Sequence, residues 1–152
     1  MLSISEILGK YAELKTKDEK IAWLRKNESY ALKMVLVGAY DPNVVWDLPE
    51  EDPKYTPSPY LDQESMLYKE ARRFYLFTPN GNPNISKEKK ILLFTQLLEM
   101  VTPSDATMLL HMRDKKLPYA GLNAKSINEA FPGLIPMVES SKEKKKLDSE
   151  TT

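Results

Sequence analysis

The 152-residue sequence predicts an all-α fold, a compact orthogonal array of about seven short helices. Apolar residues recur at intervals of three and four along most of the chain, which is the spacing of the buried face of a helix. Several of these stretches begin just after a Ser, Thr, Asp or Asn, the residues that best accept hydrogen bonds from the first amide groups of a helix. A hydrophobic content of 41% provides one core of ordinary size.

Three short helices are predicted near the start of the chain. The segment Ser3–Glu6 has the pattern of a capping box and opens a stretch with apolar residues at helical spacing. Thr16–Glu19 repeats that pattern before a second apolar stretch. A third helix is expected from Ser29 to about Tyr40, because Pro42 cannot continue a helix.

A long, acidic, extended loop is predicted at residues 41–61. Its five prolines exclude a regular helix or a central strand. Connecting segments generally lie on the surface, which favours a loop draped over the helices with Trp46 and Tyr60 as anchors. The alternative is that this loop binds another protein. The partner-binding residues of that alternative are Trp46, Glu50, Glu51, Asp52 and Tyr55.

The second half of the chain is predicted to be helical as well. Asp62 is placed to cap a helix over residues 63–77, which carry a broad apolar stripe. Residues 78–84 are predicted to form a turn, and their Asn-Gly pair is also a hairpin signal. Ser86–Lys90 is a poor strand and a good helix opening, so we expect a helix there instead. Thr102–Pro103 opens the next helix, since proline favours the first helical position.

The chain is expected to form one domain followed by a tail. Residues 1–138 contain all the predicted helices and the apolar residues of the core. Residues 139–152 are charged and low in hydrophobic residues, a composition typical of disordered termini. We therefore predict a helical domain at 1–138 and a disordered tail at 139–152.

A basic glycine turn between the last two predicted helices is the first candidate site. Asn123 follows Gly121 and precedes a helical stretch, so its side chain is expected to cap that helix. The free amide groups and the dipole at a helix start favour an anion. On these residues alone, an ordinary corner between helices with solvated lysines is slightly favoured over a phosphate site. The positive charges around the turn are Arg113, Lys115, Lys116 and Lys125.

The same stretch resembles a known domain. Met112–Asp114 ends a predicted helix, Gly121 marks the turn, and Phe131–Pro136 closes a short helix with a Pro-Gly-Leu-Ile-Pro sequence. These elements are similar to the closing motif of the N-terminal, all-helical DNA-binding domain of T-even-type bacteriophage ATP-dependent DNA ligases. The order of the first three predicted helices is similar too. The likeness covers roughly residues 4–50 and 90–136, and the middle of the chain does not match well.

The resemblance implies a domain that binds DNA but lacks the catalytic part of a ligase. The ligases need a lysine nucleophile in a Lys-x-Asp-Gly motif, and this sequence contains no Asp-Gly pair. The chain also has no cysteine and a single histidine, His111, which excludes thiolate and histidine-rich metal sites. We therefore expect no enzymatic activity, no cofactor and no metal site.

The charge balance qualifies the DNA-binding interpretation. Dedicated nucleic-acid binders are usually basic, whereas this chain has 22 basic and 22 acidic residues. The loop at residues 41–61 contains five acidic residues and one basic residue, which leaves the rest mildly basic. The sequence contains neither an apolar stretch long enough to cross a membrane nor the pattern of a signal peptide. We expect a cytoplasmic protein, in the host cell if phage-encoded.

Two functional hypotheses result. The first is a stand-alone phage DNA-binding module, an accessory of replication or repair, that binds nicked or intact duplex through phosphate contacts with little sequence preference. Its predicted contact residues are Arg113, Lys115, Lys116, Gly121, Asn123 and Lys125. The second is a protein-interaction or regulatory protein that keeps the helical scaffold. It would use the acidic loop to bind a replication, repair or host protein.

Overall fold

A computed structural model of the chain describes residues 2–57, 64–79, 81 and 84–136, and within them it contains helices and no strand. This confirms the all-α prediction. No described helix combines the length and the apolar character that a membrane crossing requires. The helices are α1 (Ile4–Glu13), α2 (Lys17–Lys26), α3 (Tyr30–Tyr40), α4 (Met66–Glu70), a 3₁₀ segment (Ala71–Phe77), α5 (Lys87–Met100), α6 (Pro103–Arg113) and α7 (Ala124–Ala130).

Six of the predicted helix starts are confirmed by hydrogen bonds, whereas the helix predicted from residue 63 begins at Met66 without a side-chain cap. In α1 the Ser3 hydroxyl accepts from the Glu6 amide at 3.3 Å, and the Glu6 carboxylate accepts from the Ser3 amide at 3.1 Å. Such a cap stabilises a helix by about 1 kcal/mol, because it satisfies an amide that has no partner inside the helix. A side chain accepts from the amide three residues ahead at six helix starts, namely at Ser3, Thr16, Ser29, Ser86, Thr102 and Asn123.

The predicted helix that ends at Phe77 is two elements in the structure, α4 and the 3₁₀ segment. A 3₁₀ helix repeats every three residues. Ala71, Phe74 and Phe77 therefore share one side and are buried, whereas Arg72 and Tyr75 are exposed. The apolar spacing in the sequence did not distinguish this period from the 3.6 residues per turn of an α-helix.

The core is built around α6, which packs against α1, α3 and α5. Leu36 of α3 and Leu109 of α6 are fully buried, and so is Met112 to within 1%. Burying one such side chain contributes roughly 1.5–3 kcal/mol. The same packing brings the ends of α3 and α6 together and lays α2 against α7. The basic residues predicted as phosphate contacts lie at the end of α6 and where α7 begins against α2.

The described part of the acidic loop, residues 41–57, lies on the helices. The indole N–H of Trp46 donates to the Gly38 carbonyl at 2.9 Å, and the Trp46 ring meets Phe74 edge-on at 6.3 Å. The Asp47 amide donates to the carbonyl of Phe77 at 2.7 Å. Trp46 is therefore an anchor, as the draped-loop interpretation predicted. Tyr60, the Asp62 cap and the tail at 139–152 lie outside the described residues.

Candidate nucleic-acid interface

The predicted basic cluster begins where α6 ends, in a Schellman turn. The Lys115 amide donates to the Met112 carbonyl at 2.9 Å, and the Lys116 amide donates to the His111 carbonyl at 3.1 Å. This pair of bonds places one residue in the left-handed region, which is usually a glycine. Here that residue is Lys115, with φ at +63°. A lysine in this conformation is strained, and the bonds that its side chain makes offset the free-energy cost of that strain.

The Lys115 side chain binds the C-terminal end of α3. Its ammonium donates to the carbonyls of Gly38 at 2.9 Å, Asp41 at 2.7 Å and Val44 at 2.8 Å. A cation is favourable there because the last carbonyls of a helix are unpaired and carry the negative end of the dipole. Burial lowers the pKa of Lys115. All three N–H donors of the ammonium are used, so Lys115 is not free to bind phosphate.

Arg113 holds the acidic loop in the same region. Its side chain is only 4% exposed and pairs with Asp52 at 2.7 Å and with Asp114 at 2.9 Å. The guanidinium also donates to the carbonyl of Glu51 at 3.2 Å. Arg113 and Lys115 are two of the phosphate contacts that the sequence predicted. Their existing partners remove both from that set.

A third cation, Lys90, attaches the loop from the other side. The Lys90 ammonium, 4% exposed, donates to Asp47 at 2.9 Å and to the Thr78 carbonyl at 3.0 Å. The bond from Lys90 lowers the pKa of Asp47. Of the residues predicted for partner binding, Asp52 and the Glu51 carbonyl are thus used within the chain. Trp46 and Tyr55 pack partly against the core, and the Glu50 and Glu51 side chains are exposed.

The glycine turn packs against α1 and α2. Gly121 has φ at +79°, and a Cβ there would lie 2.7 Å from the Lys20 ammonium. The Gly121 carbonyl accepts from the Tyr11 hydroxyl at 3.0 Å. The Lys20 ammonium donates to the Ala120 carbonyl at 3.2 Å and lies 4.7 Å from the centre of the Tyr11 ring. Because Gly121 has no side chain, it leaves the space that the Lys20 ammonium occupies.

Asn123 caps α7, as predicted. Its side-chain oxygen accepts from the Ser126 amide at 2.9 Å, and the Ser126 hydroxyl accepts from the Asn123 amide at 3.0 Å. These two bonds form a reciprocal capping box. The Asn123 side chain thus serves the helix. Lys125, in the first turn of α7, is exposed.

A groove of about 360 Å³ lies between α2 and α7, and lysines surround it. Lys17 pairs with Glu129 at 2.6 Å. Within the described chain, Lys20 and Lys125 have no carboxylate partner. This α2–α7 groove therefore carries surplus positive charge. It is lined by Tyr11, Lys17, Lys20, Ile21, Gly121, Asn123, Lys125, Ser126 and Glu129.

Sequence reasoning found the α7 side of this groove and missed the α2 side. Lys17 and Lys20 lie about 100 residues before Gly121 in the chain, so no local pattern joins them to the turn. The available signal was their spacing. Residues three and four apart share a face of a helix, so Lys17 and Lys20 lie on the face of α2 that carries the buried Leu24.

The motif that carries the ligase resemblance closes α7. The Ile135 amide donates to the Asn128 side-chain oxygen at 2.9 Å, and the Asn128 side-chain amide donates back to the Ile135 carbonyl at 2.8 Å. Arg25 of α2 donates to the carbonyls of Glu129 and Ala130, each at 3.0 Å. The Pro-Gly-Leu-Ile-Pro element thus folds back on α7 through Ile135, and Arg25 ties the end of α7 to α2.

These features define a small helical protein with a basic groove and, among the residues that the structure describes, no cluster of metal-ligating side chains. Residues 7–119 match the model of a family of unknown function, DUF6433, and the chain belongs to that family. The matched residues begin within α1, run through α6 and include the basic residues of α2. The search of curated proteins found no match. The resemblance to the phage ligase domain therefore stays a prediction.

Proposed function

We propose that this protein is a non-catalytic DNA-binding module that contacts the phosphates of duplex DNA through the α2–α7 groove. The observation that carries the proposal is the convergence of Lys17, Lys20 and Lys125 on one groove that holds a single carboxylate, Glu129. Lysine–phosphate contacts supply most of the affinity of sequence-tolerant DNA binding.

The position of Lys20 favours phosphate binding. Its ammonium is held by the Ala120 carbonyl and the face of the Tyr11 ring. An ammonium has three N–H donors, so donors remain for a phosphate after the bond to Ala120. Because the side chain is already ordered, binding loses less conformational entropy than it would at a freely moving lysine.

The separation of charge along the chain also supports the proposal. Residues 10–33 and 116–136, which include α2 and α7, contain nine basic and five acidic residues. Residues 41–57 contain five acidic residues and one basic residue. The formal net charge of zero therefore combines a basic part that meets DNA with an acidic part that does not.

The proposed contact set differs from the one that the sequence suggested. Lys125 and the exposed Lys116 stay in it, and Lys20 joins it, whereas Lys17 is paired with Glu129. Gly121 and Asn123 act by shaping the turn and capping α7. A role in phage replication or repair, in the cytoplasm of the host cell, is the setting that the ligase resemblance implies for this module.

The test is fluorescence anisotropy with labelled nicked and intact duplexes at low salt. The double variant Lys20→Gln/Lys125→Gln is compared with Lys69→Gln/Lys89→Gln, which removes two other exposed lysines without an ion pair among the described residues. We expect the groove variant to bind about tenfold more weakly, a loss of about 1.4 kcal/mol. The control should bind like the unmodified protein. An equal loss in both variants contradicts the groove, and the lack of any binding by the unmodified protein contradicts the function.

A further inference from the structure

A second cavity, of about 230 Å³, opens between α3, the acidic loop and the 3₁₀ segment. Trp46 and Phe74 meet edge-on in its wall, and Met34 and Val37 of α3 line it as well. The cavity is smaller than the roughly 300–1,000 Å³ of typical small-molecule sites. Its size suits one large side chain and not a whole cofactor.

Two exposed tyrosines border this cavity, which we call the Tyr30–Tyr75 pocket. Tyr30 is 57% exposed and Tyr75 is 54% exposed, although both line a largely apolar cavity. Exposed tyrosines beside a half-buried Trp and a Met are the composition that marks the energetic centre of protein interfaces. Leu92, the exposed apolar side chain of α5, does not line the pocket.

One charged residue lines the pocket, and it is basic. Arg72 is exposed, and it makes no ion pair within the described chain. No Asp or Glu lines the cavity. An unpaired guanidinium beside an apolar cavity complements a group that is apolar and carries a carboxylate close by.

The adjoining surface favours a peptide over a nucleic acid. A larger groove shares Val44 and Trp46 with the pocket, and the exposed Glu50 carboxylate lies along it. The two cations that line this groove are already bound within the chain. A polyanion crossing from the pocket would therefore meet Glu50 and no free cation. A peptide can place one carboxylate at Arg72 and avoid Glu50.

We propose that the Tyr30–Tyr75 pocket is the anchor site for a partner protein. It takes one aromatic side chain of an acidic peptide segment, and a neighbouring carboxylate of that segment pairs with Arg72. The aromatic anchor displaces water from the apolar walls, and Arg72 selects acidic sequences over neutral ones. The site shares no lining residue with the α2–α7 groove, so the chain would hold DNA and a partner at separate surfaces.

The test is an NMR titration of the full chain with three blocked pentapeptides. The first has a central tryptophan flanked by Asp and Glu, the second replaces the acids by Asn and Gln, and the third replaces the tryptophan by alanine. We expect saturable shifts of the Trp46 indole N–H and the Gly38 amide with the first peptide. Binding should be about three- to tenfold weaker with the second, as one ion pair predicts, and undetectable with the third.

Matched variants keep the test specific to the pocket. Tyr75→Ser should weaken the acidic peptide about tenfold, while Leu92→Ser should leave it unchanged. Arg72→Gln should abolish the difference between the acidic and neutral peptides, while Arg73→Gln, at a residue that does not line the pocket, should preserve it. Equal binding of both peptides to the unmodified protein, or no shift at the pocket, overturns the proposal. Saturable binding of a thymidine oligomer there, lost in Tyr75→Ser, overturns it in favour of a nucleic-acid site.

Discussion

Two groups of basic residues in this protein have opposite environments. Lys90 and Arg113 are buried and Lys115 is half-buried, and all three bind carbonyls or carboxylates of the acidic loop or of α3. Lys20 and Lys125 stand on the α2–α7 groove without a carboxylate partner among the described residues. The residue types are the same, and the difference comes from which segments the fold brings against them. Clustered charge in a sequence therefore predicts a binding surface only when no distant acceptor reaches it.

The largest difference between the two groups is expected in stability. Lys115→Met removes the cation from the carbonyls of Gly38, Asp41 and Val44, of which the first two keep a second donor, the Trp46 indole and the Val44 amide. We expect the free energy of unfolding to fall by about 1–3 kcal/mol, because the Val44 carbonyl loses its donor and the end of α3 loses a cation. Urea denaturation followed by circular dichroism measures it. Lys116→Met, at the neighbouring exposed lysine, should change stability by less than about 0.5 kcal/mol. An equal loss of stability in the two variants would contradict the difference between bound and exposed lysines.

The second prediction concerns the two glycines with positive φ. Gly121→Ala should destabilise the protein by about 1–2 kcal/mol, since alanine is strained at φ +79° and its Cβ displaces Lys20. Gly133→Ala has a similar φ of +77° with open space around it, so it carries only the backbone cost. DNA affinity should drop in Gly121→Ala alone. If both variants, at temperatures where they are folded, bind DNA equally well, the placement of Lys20 is unimportant.

The smallest effect is a pH dependence at the loop. The pKa of Asp47 is lowered in the folded state by Lys90. A lowered carboxyl pKa contributes stability that is present above the unfolded value, about 3.8, and is lost as the pH falls through the folded value. Unmodified protein should therefore be more stable than Asp47→Asn at neutral pH, and the gap should close below about pH 3.8. A gap that persists in acid would mean that the pair with Lys90 does not attach the loop through charge.

Most of the fold could be predicted because its signals are local. Ser3, Thr16, Ser29, Ser86, Thr102 and Asn123 each mark a helix start by chemistry that acts over three residues. The 3₁₀ segment could not be predicted, because Ala71, Phe74 and Phe77 satisfy either helical period until the packing on α3 decides.

The site was less predictable because its partners are distant in the chain. Arg113 meets Asp52 and the Glu51 carbonyl across 61 and 62 residues, and Lys115 meets the Asp41 carbonyl across 74. No sequence pattern near residue 113 predicts these contacts. The cap at Asn123 and the exposed Lys125 were within reach of local reasoning, whereas the α2 side of the groove depended on tertiary packing.

The salt dependence of DNA affinity tests the central claim most directly. Each phosphate contact that is lost should reduce the slope of log affinity against log salt by about 0.9. Lys20→Gln/Lys125→Gln should therefore flatten the slope by about 1.8, while Lys69→Gln/Lys89→Gln leaves it unchanged. If both double variants keep the slope of the unmodified protein, or both flatten it equally, the α2–α7 groove is not where the phosphates bind.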